Sequence, residues 1–103
     1  MEEEYFDFDA PSDSEIRAER AKARDLRKTR WWQQKTASGL CHYCRRKVSF
    51  HDLTMDHLVP LARGGRSTKE NLVPSCKDCN NKKKSMLPIE WQEYMERIQQ
   101  EGS

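Results

Sequence analysis

Two Cys-x-x-Cys pairs are the residues of this 103-residue chain best suited to binding a metal ion. Cys41 and Cys44 form the first pair, and Cys76 and Cys79 form the second. Two residues between paired cysteines let both sulfurs reach one ion, and four sulfurs in a tetrahedron suit Zn²⁺. Disulfides or a redox pair are the alternatives, and we disfavour them because no secretory signal precedes the pairs and the repeated motif implies four ligands. We therefore predict a structural zinc site.

A polar doublet between the two pairs has side chains that could carry catalysis. Asp56 and His57 lie in a short, mostly apolar run over residues 53–60, which is typical of a strand ending at its proline. Neighbours in a strand point to opposite faces, so the carboxylate and the imidazole should have separate roles. Taken alone, such a doublet is more simply explained as a satisfied polar pair at the end of a strand.

The surrounding pattern predicts the elements that position these side chains. Residues 71–74 favour a second short strand, and the intervening loop can turn at Gly64 and Gly65, where a positive φ costs little. A helix should follow, capped by Ser75 and carrying Cys76, Cys79 and a run of lysines on its first turns. The predicted unit is strand, strand, helix.

These residues together resemble the HNH endonuclease family over residues 41 to about 87. The resemblance implies a small ββα-metal core in which His57 is the general base, Asp56 and Asn80 hold the catalytic metal, and Asn71 fixes the hairpin loop. The family often has histidine at the last of these positions, where this chain has Asn80. The resemblance is carried by Cys41-x-x-Cys44, Asp56-His57-x-x-Pro60, Gly64-Gly65, Asn71-Leu72, Pro74, Cys76-x-x-Cys79-Asn80 and Lys83.

The chemistry of phosphodiester hydrolysis agrees with these roles. A histidine that titrates near neutrality can remove a proton from water, whereas an ionised aspartate such as Asp56 is better used on a metal. Two oxygen ligands from the protein leave other positions for water and phosphate, which is how Mg²⁺ is usually bound. We therefore expect Mg²⁺ or Mn²⁺ at the catalytic site.

The composition bounds the fold and the setting. A hydrophobic fraction of 35% in one small domain is too low for a large core, so we expect the zinc site to supply stability. The chain has no apolar run as long as a membrane span, and Met1 leads into glutamates rather than a signal peptide. These features predict a protein of the reducing cytoplasm that does not enter a membrane.

Charge is divided unevenly along the chain. Residues 1–15 carry seven acidic and no basic side chains, whereas residues 17–84 carry eighteen basic and six acidic ones. A basic body of this kind is typical of a phosphate-binding protein, although basic faces can also be merely solvated. The candidate nucleic-acid contacts are Arg45, Arg46, Arg63, Arg66, Lys82, Lys83 and Lys84.

Four segments are predicted. Residues 1–11 form an acidic disordered tail, which we interpret as solubilising rather than as a nucleic-acid mimic.

Residues 12–38 form one basic helix that begins with a Ser12–Glu15 capping box and ends before Gly39. Trp31 and Trp32 near its end are predicted to pack as core rather than to stack on bases. Residues 39–98 form the nuclease domain, including a C-terminal packing helix from Pro88, and residues 99–103 fray. That helix should bury the face of Trp91, Tyr94 or Met95, and Ile98.

The predicted fold class is α+β: a small ββα-metal core with a structural four-cysteine zinc, a long N-terminal helix and a short C-terminal helix. The predicted activity is metal-dependent hydrolysis of DNA, in its double-stranded form. Two alternatives stay open, namely a zinc-dependent nucleic-acid-binding module that does not cleave, and a nuclease subunit that acts only with a larger targeting or packaging protein.

Overall fold

The structure is a computed structural model that describes residues 10–101, so residues 1–9 of the predicted acidic tail lie outside it. The described part of the chain is α+β, as predicted, with a two-stranded antiparallel sheet and four α-helices. The elements are α1 (Asp13–Arg27), α2 (Arg30–Thr36), β1 (Leu53–His57), β2 (Leu72–Cys76), α3 (Lys77–Lys83) and α4 (Pro88–Glu101).

Helix α1 begins at the capping box that the sequence predicts. The Glu15 amide donates to Ser12 Oγ at 3.1 Å, and the Ser12 amide donates to the Glu15 carboxylate at 2.8 Å. Acidic residues lie in the first turn and Arg24 and Arg27 in the last, which suits the helix dipole. Glu19 and Ala23 are buried on the face that packs against the loop after β1.

The prediction of one continuous helix over residues 12–38 is wrong, because the chain breaks at Thr29. The backbone of Thr29 is extended (φ −86°, ψ 159°), and its hydroxyl donates to the Leu26 carbonyl at 2.6 Å while accepting from the Trp32 amide at 3.4 Å. One side chain therefore closes α1 and caps α2. Trp32 is buried, as predicted, whereas Trp31 is partly exposed beside the Lys35 and Lys69 ammonium groups.

The hairpin is formed by β1 and β2, and its register is set by pairing Asp56 with Val73 and His57 with Leu72. All five residues of β2 are buried, because α2 and α3 contact it. β1 is only partly covered, with Asp56 as its one buried residue. The polar doublet therefore lies at the C-terminal end of the less covered strand, with Asp56 buried and His57 half-buried.

Both glycines of the predicted turn are needed, for different reasons. Gly64 has φ 92° and ends the short 3₁₀ turn Leu61–Arg63, a conformation that side chains disfavour. Gly65 donates its amide to the Pro60 carbonyl at 2.9 Å, and a Cβ there would overlap the Val59 carbonyl. The loop is thus folded tightly against the end of β1.

The predicted cap of α3 is wrong by one residue. Because β2 extends through Cys76, which pairs with Leu53, Ser75 is buried within the strand and donates to the Cys76 carbonyl at 3.0 Å. The cap is Cys76 itself, whose Sγ accepts from the Cys79 amide at 3.5 Å. The first turn of α3 is therefore built around a sulfur of the cysteine cluster.

Helix α4 closes the cluster from outside. Trp91 is buried and packs against Cys41, Cys76 and Cys79, with Tyr94 and Met95 beside it, as the predicted apolar face requires. The prediction that this face buries Ile98 is wrong, because Ile98 lies at its end and is 38% exposed. The helix continues through Glu101, and residues 102–103 lie outside the described chain, so the fraying predicted for residues 99–103 stays a prediction.

Across the described range, every helix is too short or too polar to cross a bilayer.

Candidate active site and metal centre

The four cysteines converge on one point. Cys41 and Cys44 lie in a tight knuckle closed by the Leu40–Lys47 bridge, while Cys76 ends β2 and Cys79 lies in the first turn of α3. Their sulfurs all lie within 4.8 Å of one another, and Cys44 Sγ and Cys76 Sγ are 3.9 Å apart. A tetrahedral site with Zn–S bonds of about 2.3 Å places its sulfurs about 3.8 Å apart, so the cluster is compatible with zinc.

The thiols of the cluster are free, and backbone amides donate to two of them, Cys41 and Cys76. No disulfide joins them. Burial opposes ionisation of Cys41, but hydrogen bonds from the backbone around Cys44, Cys76 and Tyr43 outweigh it and lower the pKa of that thiol to about 6. Burial raises the pKa of Cys79. Four crowded sulfurs ionise together only beside a cation, so the donor set itself calls for a metal.

Asp56 is held by two donors, the half-buried Tyr43 and the buried Lys83. The Tyr43 hydroxyl donates to Asp56 Oδ2 at 2.5 Å, and the Lys83 ammonium lies 3.2 Å from the same oxygen. Burial and the neighbouring carboxylate raise the pKa of Tyr43, so the phenol remains a donor. Both contacts fall on Oδ2, which leaves Oδ1 as the oxygen available to a further ligand.

Lys83 is a partner of Asp56 and not a phosphate contact, so the prediction for this lysine is wrong. Its side chain is fully buried, with Nζ 3.1 Å from the His57 carbonyl and 5.6 Å from the centre of the Tyr43 ring. A buried ammonium is tolerated only when paired and hydrogen-bonded, and Asp56 supplies the pairing charge. Sequence spacing placed this lysine on α3 but did not reveal which way it faces.

Asn80 lies on α3 one turn before Lys83, facing the same strand. Its Nδ2 donates to Thr54 Oγ1 at 2.9 Å, and the Thr54 hydroxyl donates in turn to the Ser75 carbonyl at 2.9 Å. The Thr54 hydroxyl donates its one proton to the Ser75 carbonyl, so towards Asn80 it can only accept. The nitrogen of the Asn80 side chain must therefore face Thr54, and its Oδ1 is not used in this contact. Thr54 lies two residues before Asp56, so the Asp56 carboxylate and the Asn80 amide lie along the same face of β1.

The side chain of His57 lies on the face of β1 opposite to that of Asp56, at the end of the strand. Its Nε2 lies 2.9 Å from Ser67 Oγ. Burial lowers the pKa of His57, and the attraction of nearby Asp56 only partly offsets this. The neutral imidazole, the form that can accept a proton, is therefore favoured at pH 7.

Ser67 in turn is bound by Glu19 of α1. The Ser67 amide donates to Glu19 Oε1 at 2.6 Å, and the Ser67 hydroxyl donates to the Glu19 carbonyl at 2.6 Å. Hydrogen bonds from Ser67 and ion pairs with Lys22 and Arg66 lower the pKa of Glu19. The imidazole thus connects to the N-terminal helix through one serine.

Asn71 joins the two ends of the hairpin loop. Its Oδ1 accepts from the Val59 amide at 2.9 Å, and its Nδ2 donates to the carbonyls of Val59 at 3.1 Å and Arg66 at 2.8 Å. All its polar atoms are used within the loop, so this side chain has no atom left for a substrate.

The candidate phosphate contacts fall into two groups. Arg46, Arg63 and Arg66 already have partners: Arg46 lies 3.5 Å from Asp78, Arg63 binds Glu90 through two contacts of 3.1 and 3.2 Å, and Arg66 lies 3.6 Å from Glu19. Exposed side chains with no ion pair to the rest of residues 10–101 form the second group, which comprises Arg45, Lys82 and Lys84.

Sequence reasoning missed four residues that contact the site. Thr54 could have been found, because a strand places it on the same face as Asp56. Tyr43 lies between the first two cysteines, where its contact with Asp56 13 residues away has no local signal. Glu19 and Ser67, 48 residues apart, likewise leave no spacing pattern.

Comparison with known proteins agrees with this geometry. Residues 41–86 match the family model described as HNH endonuclease. A stretch of 44 residues is 46% identical to the CRISPR-associated endonuclease Cas9 of Corynebacterium diphtheriae. The matched stretch is 42% of this chain but spans 4% of the length of that relative. With a ββα core, a polar doublet ending its first strand and a four-cysteine cluster compatible with zinc, residues 41–86 are an HNH endonuclease domain.

Proposed function

We propose that this chain is an endonuclease that hydrolyses DNA phosphodiester bonds with the help of a divalent metal ion. One observation carries the proposal: Asp56 and Asn80 each keep one oxygen free on the same face of β1, because Tyr43, Lys83 and Thr54 occupy their other polar atoms. A neutral imidazole lies at the end of that strand. Two hard oxygens and a nearby base are the groups that phosphodiester hydrolysis requires.

His57 is the proposed general base. Its Nε2 is engaged by Ser67, so Nδ1 is the ring nitrogen that takes a proton from the attacking water. Burial, which lowers the pKa of the imidazole, keeps it ready to accept that proton near neutral pH. Asn71 supports this step indirectly, since it holds the loop that carries Ser67.

Two different metals are proposed for the two sites. Zn²⁺ suits the four sulfurs and has a structural role there, whereas Mg²⁺ or Mn²⁺ suits the oxygens of Asp56 and Asn80. Asp56 and Asn80 would hold the divalent cation, which would supply Lewis-acid stabilisation of negative charge on the phosphate. The thiols must stay reduced to bind zinc, which favours work in a reducing compartment such as the cytoplasm.

Double-stranded DNA is the proposed substrate. Arg45 follows the first cysteine pair, Lys82 lies on α3 and Lys84 directly follows α3, and all three are exposed and could contact phosphates. Phosphate contacts position a protein without reading bases, so this surface predicts binding with little sequence preference.

The direct test is incubation of the zinc-loaded protein with supercoiled plasmid and Mg²⁺ or Mn²⁺, followed by sequencing of the cut ends. Nicked or linear plasmid that forms with metal and not with excess chelator supports the proposal. Binding without any cleavage would favour the alternative of a nucleic-acid-binding module.

A second candidate is a cleavage module that acts with a larger targeting or packaging protein. The observation that favours it is that the matching stretch occupies 4% of a much longer relative, named as a CRISPR-associated endonuclease. In that case the isolated chain would cleave weakly, and cleavage would rise when a partner presents the DNA.

Loss of the Asn80 oxygen should weaken catalysis through the metal. We expect Asn80→Ala to lower cleavage about 10²-fold at limiting Mg²⁺, because a ligand is lost and metal catalysis supplies several kcal/mol, with partial recovery in excess Mn²⁺. Asn80 is a cleaner target than Asp56, since Asp56→Ala would leave the buried Lys83 ammonium unpaired and destabilise the fold by about 3–5 kcal/mol. The matched control is Asn81→Ala, an exposed neighbour on α3, which should cleave normally. Equal metal titration curves for the Asn80 variant and the wild type would remove Asn80 from the site.

Neutralising two exposed lysines should flatten the salt dependence of DNA binding. We expect Lys82→Gln with Lys84→Gln to lower the slope of log affinity against log salt by about 1.8, because each lost phosphate contact removes about 0.9. Fluorescence anisotropy with a DNA duplex at several salt concentrations measures this. Arg97→Gln, an exposed residue of α4, is the control and should leave the slope unchanged. An unchanged slope in the double variant would mean that α3 does not face the DNA backbone.

A further inference from the structure

Glu19 is an unusual residue for an exposed, arginine-rich helix. Its side chain is buried, with 5% of the residue exposed, although α1 lies outside the residues that match the HNH family. Burying a carboxylate is costly unless hydrogen bonds and charges compensate. The contacts that compensate it therefore indicate what this position does.

Most of the compensation comes from Ser67, which is itself 6% exposed. The Ser67 amide donates to Glu19 Oε1, and the Ser67 hydroxyl donates to the Glu19 backbone carbonyl, both at 2.6 Å. Lys22 and Arg66 lie on the other oxygen, Oε2, at 3.1 and 3.6 Å. Glu19 thus uses up both of the protons that Ser67 can donate.

These hydrogen bonds determine which nitrogen of the His57 ring carries the hydrogen. A serine hydroxyl has one proton, and here a carbonyl, which can only accept, takes it. Towards His57 the same oxygen can therefore only accept, so the Nε2 atom 2.9 Å away must carry a hydrogen. The neutral ring is left with its lone pair on Nδ1.

We propose that Glu19 and Ser67 are positioning residues for the His57 base: helix α1, from outside the HNH segment, fixes the tautomer and the orientation of the imidazole. This inference rests on the proposed function of His57. Glu19 does not contact the imidazole itself and acts on it through Ser67, whose backbone amide and hydroxyl it holds in place. Such supporting residues change the rate of chemistry more than the binding of substrate.

The test compares single variants of the full, zinc-loaded chain. We expect Ser67→Ala to lower kcat for plasmid cleavage about 10–100-fold with little change in KM. Glu19→Ala keeps the backbone carbonyl that accepts from the Ser67 hydroxyl but loses the carboxylate that holds the Ser67 amide, so it should lower kcat by a smaller factor. Glu19→Gln keeps an oxygen that can accept from the Ser67 amide and should retain most of the wild-type kcat. Lys22→Ala is the matched control, because it removes a mostly exposed partner of Glu19 without touching Ser67. Zinc content and circular dichroism identify any variant that fails to fold. If an alanine variant does not fold, kcat is compared between the wild type and the conservative variants Glu19→Gln and Ser67→Thr.

Nitrogen NMR of the His57 ring supplies a readout that does not depend on cleavage. At a pH where the ring is neutral, the wild type should show hydrogen on Nε2, and Ser67→Ala should show a mixture of tautomers. If a folded Ser67→Ala keeps both the wild-type tautomer and the wild-type kcat, the inference is overturned. An inactive wild type whose tautomer still depends on Ser67 would instead overturn the proposed function and leave the positioning role supported.

Discussion

Replacing His57 with alanine is expected to lower kcat for DNA cleavage by about 10²–10⁴-fold, the range that a positioned general base contributes. The imidazole is half-buried and bound to a single serine, so its loss removes a proton acceptor while leaving the sheet and the cysteine cluster in place. Plasmid cleavage at saturating DNA measures the effect. Zinc content and affinity for a DNA duplex should stay near the wild-type values.

His51→Ala is the matched control for this experiment. His51 is exposed and lies in the short turn before β1, so its replacement should leave kcat unchanged. Should His57→Ala cleave at a near-normal rate, His57 would not be the base, and another residue would have to be assigned to that role.

Removal of zinc is expected to unfold the domain. Eight hydrophobic residues are buried within residues 10–101, and three of them are cysteines of the cluster, so little apolar core remains without the metal. Structural zinc contributes about 10–16 kcal/mol in small zinc modules, which is comparable with the usual stability of a whole domain, about 5–15 kcal/mol. Cys41→Ser should therefore lose both zinc and the cooperative thermal transition.

A chelator separates the two proposed metals in the wild-type chain. Helical signal that is lost with chelator should return on adding Zn²⁺ and not on adding Mg²⁺, because only zinc suits four sulfurs. Ser38→Ala, an exposed change near the first cysteine, should behave as the wild type. A Cys41→Ser protein that is well folded and free of zinc would contradict a structural role for the cluster.

Local signals in the sequence were enough to predict the hairpin, the capping box at Ser12 and the convergence of the cysteines. Each depends on residues that are close in the chain or on a ligand spacing that one ion enforces. The cap at Thr29 was missed because a threonine within a helical pattern can either face solvent or turn its hydroxyl to the backbone. Neighbouring residues do not decide between these two choices.

The missed parts of the site are long-range contacts. The periodicity of α3 places Lys83 on the helix but does not tell a solvated lysine from one buried against Asp56. In the same way, Glu19 lies in a helix of ordinary surface composition, and its partner Ser67 is 48 residues away. Buried charges of this kind are determined by tertiary packing, so a single sequence carries no period or spacing that marks them.

The packing of Trp91 shows that the segment that matches the HNH family is shorter than the segment that covers the cysteine cluster. The family match ends at residue 86, yet the indole that covers Cys41, Cys76 and Cys79 comes from α4, beyond that boundary. A graft of residues 41–86 into another scaffold would transplant every sulfur but expose three of them to water and oxidants. The transferable cassette must therefore extend through α4, or the host must provide an aromatic cover in its place.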